Sequence, residues 1–238
     1  MEGELAVGAF ADFFQHLDWD GLSWLLTQAL AVLFCLTVHE TCHGLAAFAL
    51  GDPTAKRQHR LSLNPLRHLD PIGALMMLVA GFGWAKPVPV DMRYFKYPKS
   101  GMAVTALAGP VSNFLLAFLS LFLYHIFFAI LVFSYAGNPF FFWMMDFFLV
   151  TGVLSISLGL FNLIPFPPLD GSKVLGAFLP DQAYYKLMRY ERFGMLLLVA
   201  VLATDLLNQP LSTASTAVFE AFYQAAGIGF DLAAVFLG

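Results

Sequence analysis

The sequence predicts an all-α protein that crosses a membrane several times, and three observations support this fold class. The chain of 238 residues is 59% hydrophobic. It is 12% charged, about half the share of a typical soluble domain. Apolar stretches long enough to cross a bilayer as helices run from Leu22 to Leu50, from Met102 to Tyr135 and from Phe140 to Ile164. We therefore predict a single membrane-embedded domain over residues 1–238, with about four to six membrane helices.

The first twenty residues contain no Lys or Arg and carry phenylalanines at helical spacing. This pattern predicts an amphipathic helix that lies in the membrane interface over residues 1–20. Asp20 is the predicted N-cap of the apolar helix that follows, and Gly51 with Pro53 is expected to end that helix.

Charge placement predicts the orientation of the chain. Eight of the twelve Lys and Arg lie between Lys56 and Lys99. The positive-inside rule therefore places this polar region in the cytoplasm and the N-terminus outside. There is no basic cluster of the kind that nucleic acid requires.

Residues 52–100 are predicted to contain a small membrane-associated β element. Arg60–Leu63 and Lys86–Asp91 have the alternating pattern of short strands, and the prolines of the second suit only a sheet edge. Ile72–Gly83 is apolar but too short to span a bilayer, which favours a re-entrant or buried segment.

The first apolar helix contains the pattern His-Glu-Thr-Cys-His from His39 to His43. Side chains four residues apart share a helix face, so His39 and His43 can bind one metal ion while Glu40 projects beside it. Two neutral imidazoles suit zinc, and Glu40 is then the predicted general base that accepts a proton from the attacking water. The alternative is that these groups hydrogen-bond to neighbouring helices, but polar groups in a membrane helix are costly and generally functional.

The predicted third ligand is Asp170, which follows three prolines in the stretch NLIPFPPLDG from Asn162 to Gly171. The prolines break the helix at membrane depth and deliver Asp170 to the side that also receives His43. Catalytic zinc commonly takes three protein ligands, and the His-Glu-x-x-His pattern supplies only two of them. The alternative is a turn residue before Gly171.

Other candidate residues have open roles. Cys35 and His68 are the alternatives for the third ligand, with packing or a structural role favoured for both, and His125 is expected to pack. Asn113 lies beside Pro110 in the second apolar helix, where it either packs or faces a cavity. After residue 175 we expect C-terminal helices, with Phe193–Leu207 crossing outward and Ser212–Gly238 either spanning or lying on the outer surface.

The motifs HETCH, NPLRHLDPIG, GPVSN and NLIPFPPLDG, in this order in an apolar chain, resemble the site-2 protease family of intramembrane zinc metalloproteases. The resemblance covers residues 31–175. It implies hydrolysis of peptide bonds within or beside the transmembrane segments of membrane-protein substrates in the lipid bilayer. It also implies Zn²⁺ bound by His39, His43 and Asp170, Glu40 as the catalytic base, and Asn113 with Asn162 near the substrate.

The resemblance further implies a minimal form, because the chain leaves no room for a PDZ or CBS domain. The catalytic core would be residues 22–175, with its active site toward the cytoplasmic side. The oligomeric state is not indicated by the sequence.

Two other functions are consistent with some of these residues. A membrane metal-ion transporter, or a metal-binding membrane protein without protease activity, could use the same His and Asp groups. Transport would require a continuous polar pathway rather than one cluster. A bis-histidine haem protein would require paired histidines on facing helices, and only His125 lies on another spanning helix.

Overall fold

The computed structural model describes residues 18–73, 85–134, 138–204 and 206–237. Within these ranges the chain is helical, with short connecting segments. The predicted interfacial helix of residues 1–20 and the predicted re-entrant segment Ile72–Gly83 lie almost entirely outside the described residues. The α-helices are α1 (Trp19–Ala49), α2 (Thr54–Arg57), α3 (Pro98–Ser134), α4 (Pro139–Asn162), α5 (Asp170–Phe178), α6 (Asp181–Leu202), α7 (Asn208–Ala226) and α8 (Ile228–Leu237).

Three of the described helices are long and apolar enough to cross a membrane, over Asp20–Ala49, Pro98–Phe133 and Pro139–Asn162. The prediction of four to six such helices is therefore not met in the described part of the chain. In α6 the apolar part is only Phe193–Leu202, about 15 Å long and half the thickness of the hydrocarbon core. The expected crossing over Phe193–Leu207, which needs flanking residues to reach full length, is not met in the described residues, because the first half of α6 is polar and the helix ends at Leu202.

The predicted β element is also corrected, since the described residues contain no strand and only an isolated bridge between Leu69 and Ala85. In the second predicted strand, Lys86–Asp91, the Lys86 N–H donates to the His68 carbonyl next to this bridge, but side chains accept two further backbone donors that a ladder would need. The N–H of Val88 donates to the Glu40 carboxylate at 2.9 Å, and that of Asp91 donates to the Asp52 carboxylate at 2.7 Å.

Side chains also hold the first predicted strand, Arg60–Leu63, but here they bond to a backbone carbonyl. The Ser62 carbonyl accepts hydrogen bonds from the side chains of Thr41 and His68. The segment therefore docks on α1 through side chains and not through a sheet.

Helix α1 begins and ends for local reasons. Its N-cap is Asp18, whose carboxylate accepts the N–H of Gly21 at 2.9 Å, and not Asp20 as predicted. The predicted stop is confirmed, because Gly51 adopts a φ of 102°, a conformation that favours glycine. Asp52 follows with no exposed surface and ties this end of α1 to the segment before α3.

Helix α3 lies at the centre of the fold. It packs against α1, α4, α5, α7 and α8, while α1 and α4 also pack against each other. Glycines let α4 approach α3 closely, because a Cβ at Gly152 would lie 3.0 Å from the Leu121 side chain. One face of α3 lies against the His-Glu-Thr-Cys-His part of α1 and contacts both of its histidines.

Candidate metal centre

Three predicted ligands converge at one point in the fold. The Nε2 atoms of His39 and His43 lie 3.0 Å apart. Oδ2 of Asp170 lies 3.2 Å from Nε2 of His39 and 3.1 Å from Nε2 of His43. Within the described ranges this is the one group of three His, Cys, Asp or Glu side chains whose ligand atoms come this close together.

The triangle formed by these atoms fits a zinc ion. Bonds of 2.0–2.1 Å in a tetrahedral site separate neighbouring ligand atoms by about 3.3 to 3.4 Å. The observed separations of 3.0 to 3.2 Å are close to that value. Two nitrogen ligands and one carboxylate oxygen also form a donor set that catalytic zinc uses.

Two distant segments supply the triangle. Helix α1 places its two histidines one turn apart, and α5 begins at Asp170 directly after the broken segment 163–169. Gly171 is needed there, because a Cβ at this position would lie 2.5 Å from the backbone oxygen of Ile164. The break therefore folds back on the start of α5 and holds Asp170 over the imidazoles.

The face of α3 supports both imidazole rings. Nδ1 of His43 lies 2.7 Å from the Thr105 carbonyl oxygen, which can only accept, so this nitrogen carries a proton and Nε2 is the nitrogen that a cation would bind. Nδ1 of His39 lies 3.1 Å from Nδ2 of Asn113. Gly109 lies between these contacts, and its missing side chain leaves the space that the rings fill.

Glu40 lies beside the triangle in a cavity of about 350 Å³. Its Oε2 accepts the N–H of Val88 at 2.9 Å. Pro87, Val88 and Val90 form one wall of this cavity, and Asn162 contributes to another. The predicted base and the three predicted ligands thus face one space.

Asp170 is ionised in this environment. Burial opposes its ionisation, but hydrogen bonds with His39 and His43 outweigh this effect and hold the pKa of the carboxyl well below its usual range. Lys173, one turn further along α5, adds a positive charge 3.7 Å from Oδ1. The carboxylate is therefore available as an anionic ligand at neutral pH.

The remaining sequence candidates lie elsewhere. Sγ of Cys35 faces α4, 3.1 Å from Oγ of Ser155, as expected for packing. His68 is buried, and its Nε2 lies 2.7 Å from the Ser62 carbonyl oxygen. Neither belongs to the three-ligand group. His125 packs as predicted, with Nδ1 2.8 Å from a carbonyl of its own helix.

Sequence reasoning missed two backbone groups at the site, the Thr105 carbonyl and the Val88 N–H. Backbone groups leave no signature in residue type. The spacing Thr105, Gly109 and Asn113, four residues each, was a usable signal, because it places all three on one face of a helix.

The fold and the site define a membrane-spanning protein with a buried cluster of metal-ligand type beside a carboxylate. Comparison with known proteins identifies the family to which the chain is related. The family model described as Peptidase family M50 matches residues 128–204. The chain is 39% identical over 188 residues to "Putative zinc metalloprotease YwhC" of Bacillus subtilis, covering 78% of this chain and 84% of that protein.

Two mycobacterial proteins, each named "Putative zinc metalloprotease Rip2", are more distant relatives. The protein of Mycolicibacterium smegmatis is 28% identical over 84% of this chain and 74% of its own length. That of Mycobacterium tuberculosis is 26% identical over 82% and 72%. No solved structure matches the chain. The chain belongs to Peptidase family M50, and the resemblance carried by the four motifs is thereby confirmed.

Proposed function

We propose that the protein is a zinc metalloendopeptidase that hydrolyses peptide bonds within or next to transmembrane segments of membrane-protein substrates, as in regulated intramembrane proteolysis. The observation that carries this proposal is the convergence of His39, His43 and Asp170 beside Glu40, at one end of the membrane helices. The names of the relatives point to the same chemistry.

His39, His43 and Asp170 would hold the ion. A zinc ion held there would supply a Lewis acid that polarises a peptide carbonyl and lowers the pKa of a water.

Glu40 would act as the general base. One of its oxygens, Oε2, is held by the Val88 N–H. This contact orients the carboxylate, while Oε1 has no hydrogen-bond partner in the described part of the chain and can accept a proton from the attacking water. The protonated Glu40 would then pass that proton to the leaving amine. Asn162, on the cavity wall, would contact the substrate chain.

The position of the site along α1 supports cleavage close to the membrane surface. His43 precedes the last residue of α1 by six positions, about 9 Å along the helix axis. The segment that follows α1 carries most of the Lys and Arg. By the positive-inside rule we propose that the active site opens toward the cytoplasm and that the N-terminus lies outside.

The catalytic core would comprise residues 22–175, and the C-terminal helices would pack around it. A metal transporter would need further ligand groups along a pathway. The described residues hold a single such group.

The decisive experiment compares the purified protein with Glu40→Gln in detergent or lipid vesicles. We expect Glu40→Gln to keep the zinc content of the parent protein and to lose cleavage of membrane-spanning test substrates by about 100-fold or more, because Gln cannot accept the proton. Glu220→Gln, which removes an exposed carboxylate on α7, is the matched control and should change neither quantity. Cleavage retained by Glu40→Gln, or parent protein that cleaves equally after a chelator has removed its zinc, would refute the proposal.

The orientation is tested separately with topology reporters. We expect a reporter fused before residue 1 to be accessible from outside and reporters within residues 51–100 from the cytoplasm. The reverse pattern would refute the charge argument without affecting the proposed chemistry.

A further inference from the structure

Asn113 is the most deeply buried polar side chain at the candidate metal centre, with no exposed surface. The side-chain contact that it makes is with His39, where its Nδ2 lies 3.1 Å from Nδ1 of the ring. Its Oδ1 has no hydrogen-bond partner within the described residues. The residues that line the site cavity include Asn162 but, within the described part of the chain, do not include Asn113.

The contact is part of a regular arrangement between two antiparallel helices. On α3, Thr105 supplies the carbonyl that faces Nδ1 of His43, and Asn113, two turns further on, supplies the amide that faces Nδ1 of His39. Gly109, midway between them, leaves room for both rings. Each metal-facing imidazole therefore has one partner on α3, and both partners act on Nδ1.

The orientation of the Asn113 amide decides which ring nitrogen of His39 carries the proton. If Nδ2 donates to Nδ1, the proton must lie on Nε2, which faces His43 and Asp170 and is then unable to bind a cation. If the amide is rotated by 180°, Oδ1 accepts from Nδ1–H and Nε2 presents a lone pair to the triangle. The rotation adds no further bond among the described residues, but it converts His39 into a ligand that matches His43.

We infer that Asn113 is a positioning residue for His39: its Oδ1 accepts the Nδ1–H of the ring, so that the ring keeps the tautomer and the angle that a zinc ligand needs. This inference rests on the proposed metal centre. It gives Asn113 a role other than the place near the substrate that the resemblance implies, and it is supported by the complete burial of this side chain and its absence, within the described residues, from the cavity wall. Partners of this kind outside the ligand set commonly change metal affinity by about 10- to 100-fold.

The test measures zinc affinity by competition with a chromogenic chelator, independently of proteolysis. Asn113→Leu keeps the size of the side chain and removes both polar atoms, and we expect it to weaken zinc binding by about 10- to 100-fold. Asn113→Asp restores an acceptor at the same position and should recover most of the affinity. Asn113→Ala replaces the Leu variant in the same assay if the latter does not fold.

The matched control is Ser112→Ala, on the same turn of α3. Ser112 is also buried, but its Oγ donates to the Gly109 carbonyl of its own helix and does not touch a histidine. We expect Ser112→Ala to leave zinc affinity unchanged. Equal weakening in Asn113→Leu and Ser112→Ala would show a general packing defect and would overturn the inference.

Unchanged zinc affinity in Asn113→Leu, together with a raised KM for test substrates, would assign Asn113 to the substrate and would also overturn the inference.

His39→Ala separates this inference from the proposed function. Loss of zinc in His39→Ala but not in Asn113→Leu removes only the positioning role. Full zinc binding in His39→Ala would overturn the metal centre itself, and the positioning role with it.

Discussion

Replacement of Gly109 by Ala should disrupt the candidate metal centre more than its size suggests. A Cβ at this position would lie 2.5 Å from Cε1 of His43 and 2.6 Å from Cε1 of His39. Carbon atoms in normal contact are about 3.5 Å apart, so both rings must retreat by about 1 Å. Their Nδ1 contacts with Thr105 and Asn113 oppose that movement. A displacement of about 1 Å at a catalytic site can cost about 100-fold in rate, and we expect a comparable loss of zinc affinity for Gly109→Ala.

The assay compares zinc affinity and substrate cleavage for Gly109→Ala and for a control, Gly152→Ala. In the control the added Cβ lies 3.0 Å from Cγ and Cδ2 of Leu121, so any displacement falls on the packing of α4 against α3 and not on the imidazoles. Ala is also favoured over Gly in a helix by about 1 kcal/mol, so neither variant should lose stability through α3 or α4 themselves. Wild-type zinc affinity and cleavage in Gly109→Ala would show that the imidazoles do not lie against this face of α3.

Three further predictions concern the residues around the centre. Asp170→Ala should lower zinc affinity and cleavage together. Asp170→Asn keeps an oxygen donor and should retain weakened zinc binding. Full zinc occupancy in Asp170→Ala, measured by metal analysis, would exclude Asp170 as a ligand. Asp52→Ala removes a buried carboxylate that accepts the N–H groups of Thr54 and Asp91 at 2.9 and 2.7 Å, and should lower the free energy of unfolding by about 3 kcal/mol. A change of less than about 0.5 kcal/mol in denaturant titrations would contradict this. Cys35→Ala should leave zinc content unchanged, since its Sγ faces Ser155; reduced zinc in that variant would bring Cys35 back as a ligand.

The site was more predictable from the sequence than the membrane topology. The positions of His39 and His43 follow from helix periodicity, which places residues four apart on one face whatever surrounds the helix. The meeting with Asp170 was also predicted, because a proline-rich break can only end a membrane helix where protein covers it. The helix spacing and the proline break are both constraints that act within a few residues of their own motifs.

The predictions of a β element and of additional membrane helices were not met within the described residues, for a different reason. Alternating residues in Lys86–Asp91 predicted a strand, but pairing depends on where the backbone donors go. Here the carboxylates of Glu40 and Asp52 accept two of them, and the Lys86 N–H donates to the His68 carbonyl. The apolar end of α6 resembled half of a membrane helix, and hydropathy in a short window does not reveal that the other half is polar. Tertiary contacts decide the first case, and a single sequence does not contain them.

The arrangement explains why motifs far apart in the sequence belong to one site. Helix α1 sets the spacing of two imidazoles, but a helix alone leaves each ring free to rotate and to change tautomer. Helix α3 removes that freedom through one contact with each Nδ1 and through the space at Gly109. The broken segment before α5 adds the carboxylate, and α5 packs on α3 as well. Helix α3 therefore aligns the groups that α1 and α5 contribute, so that a change on its inner face should alter metal binding even though α3 provides no ligand.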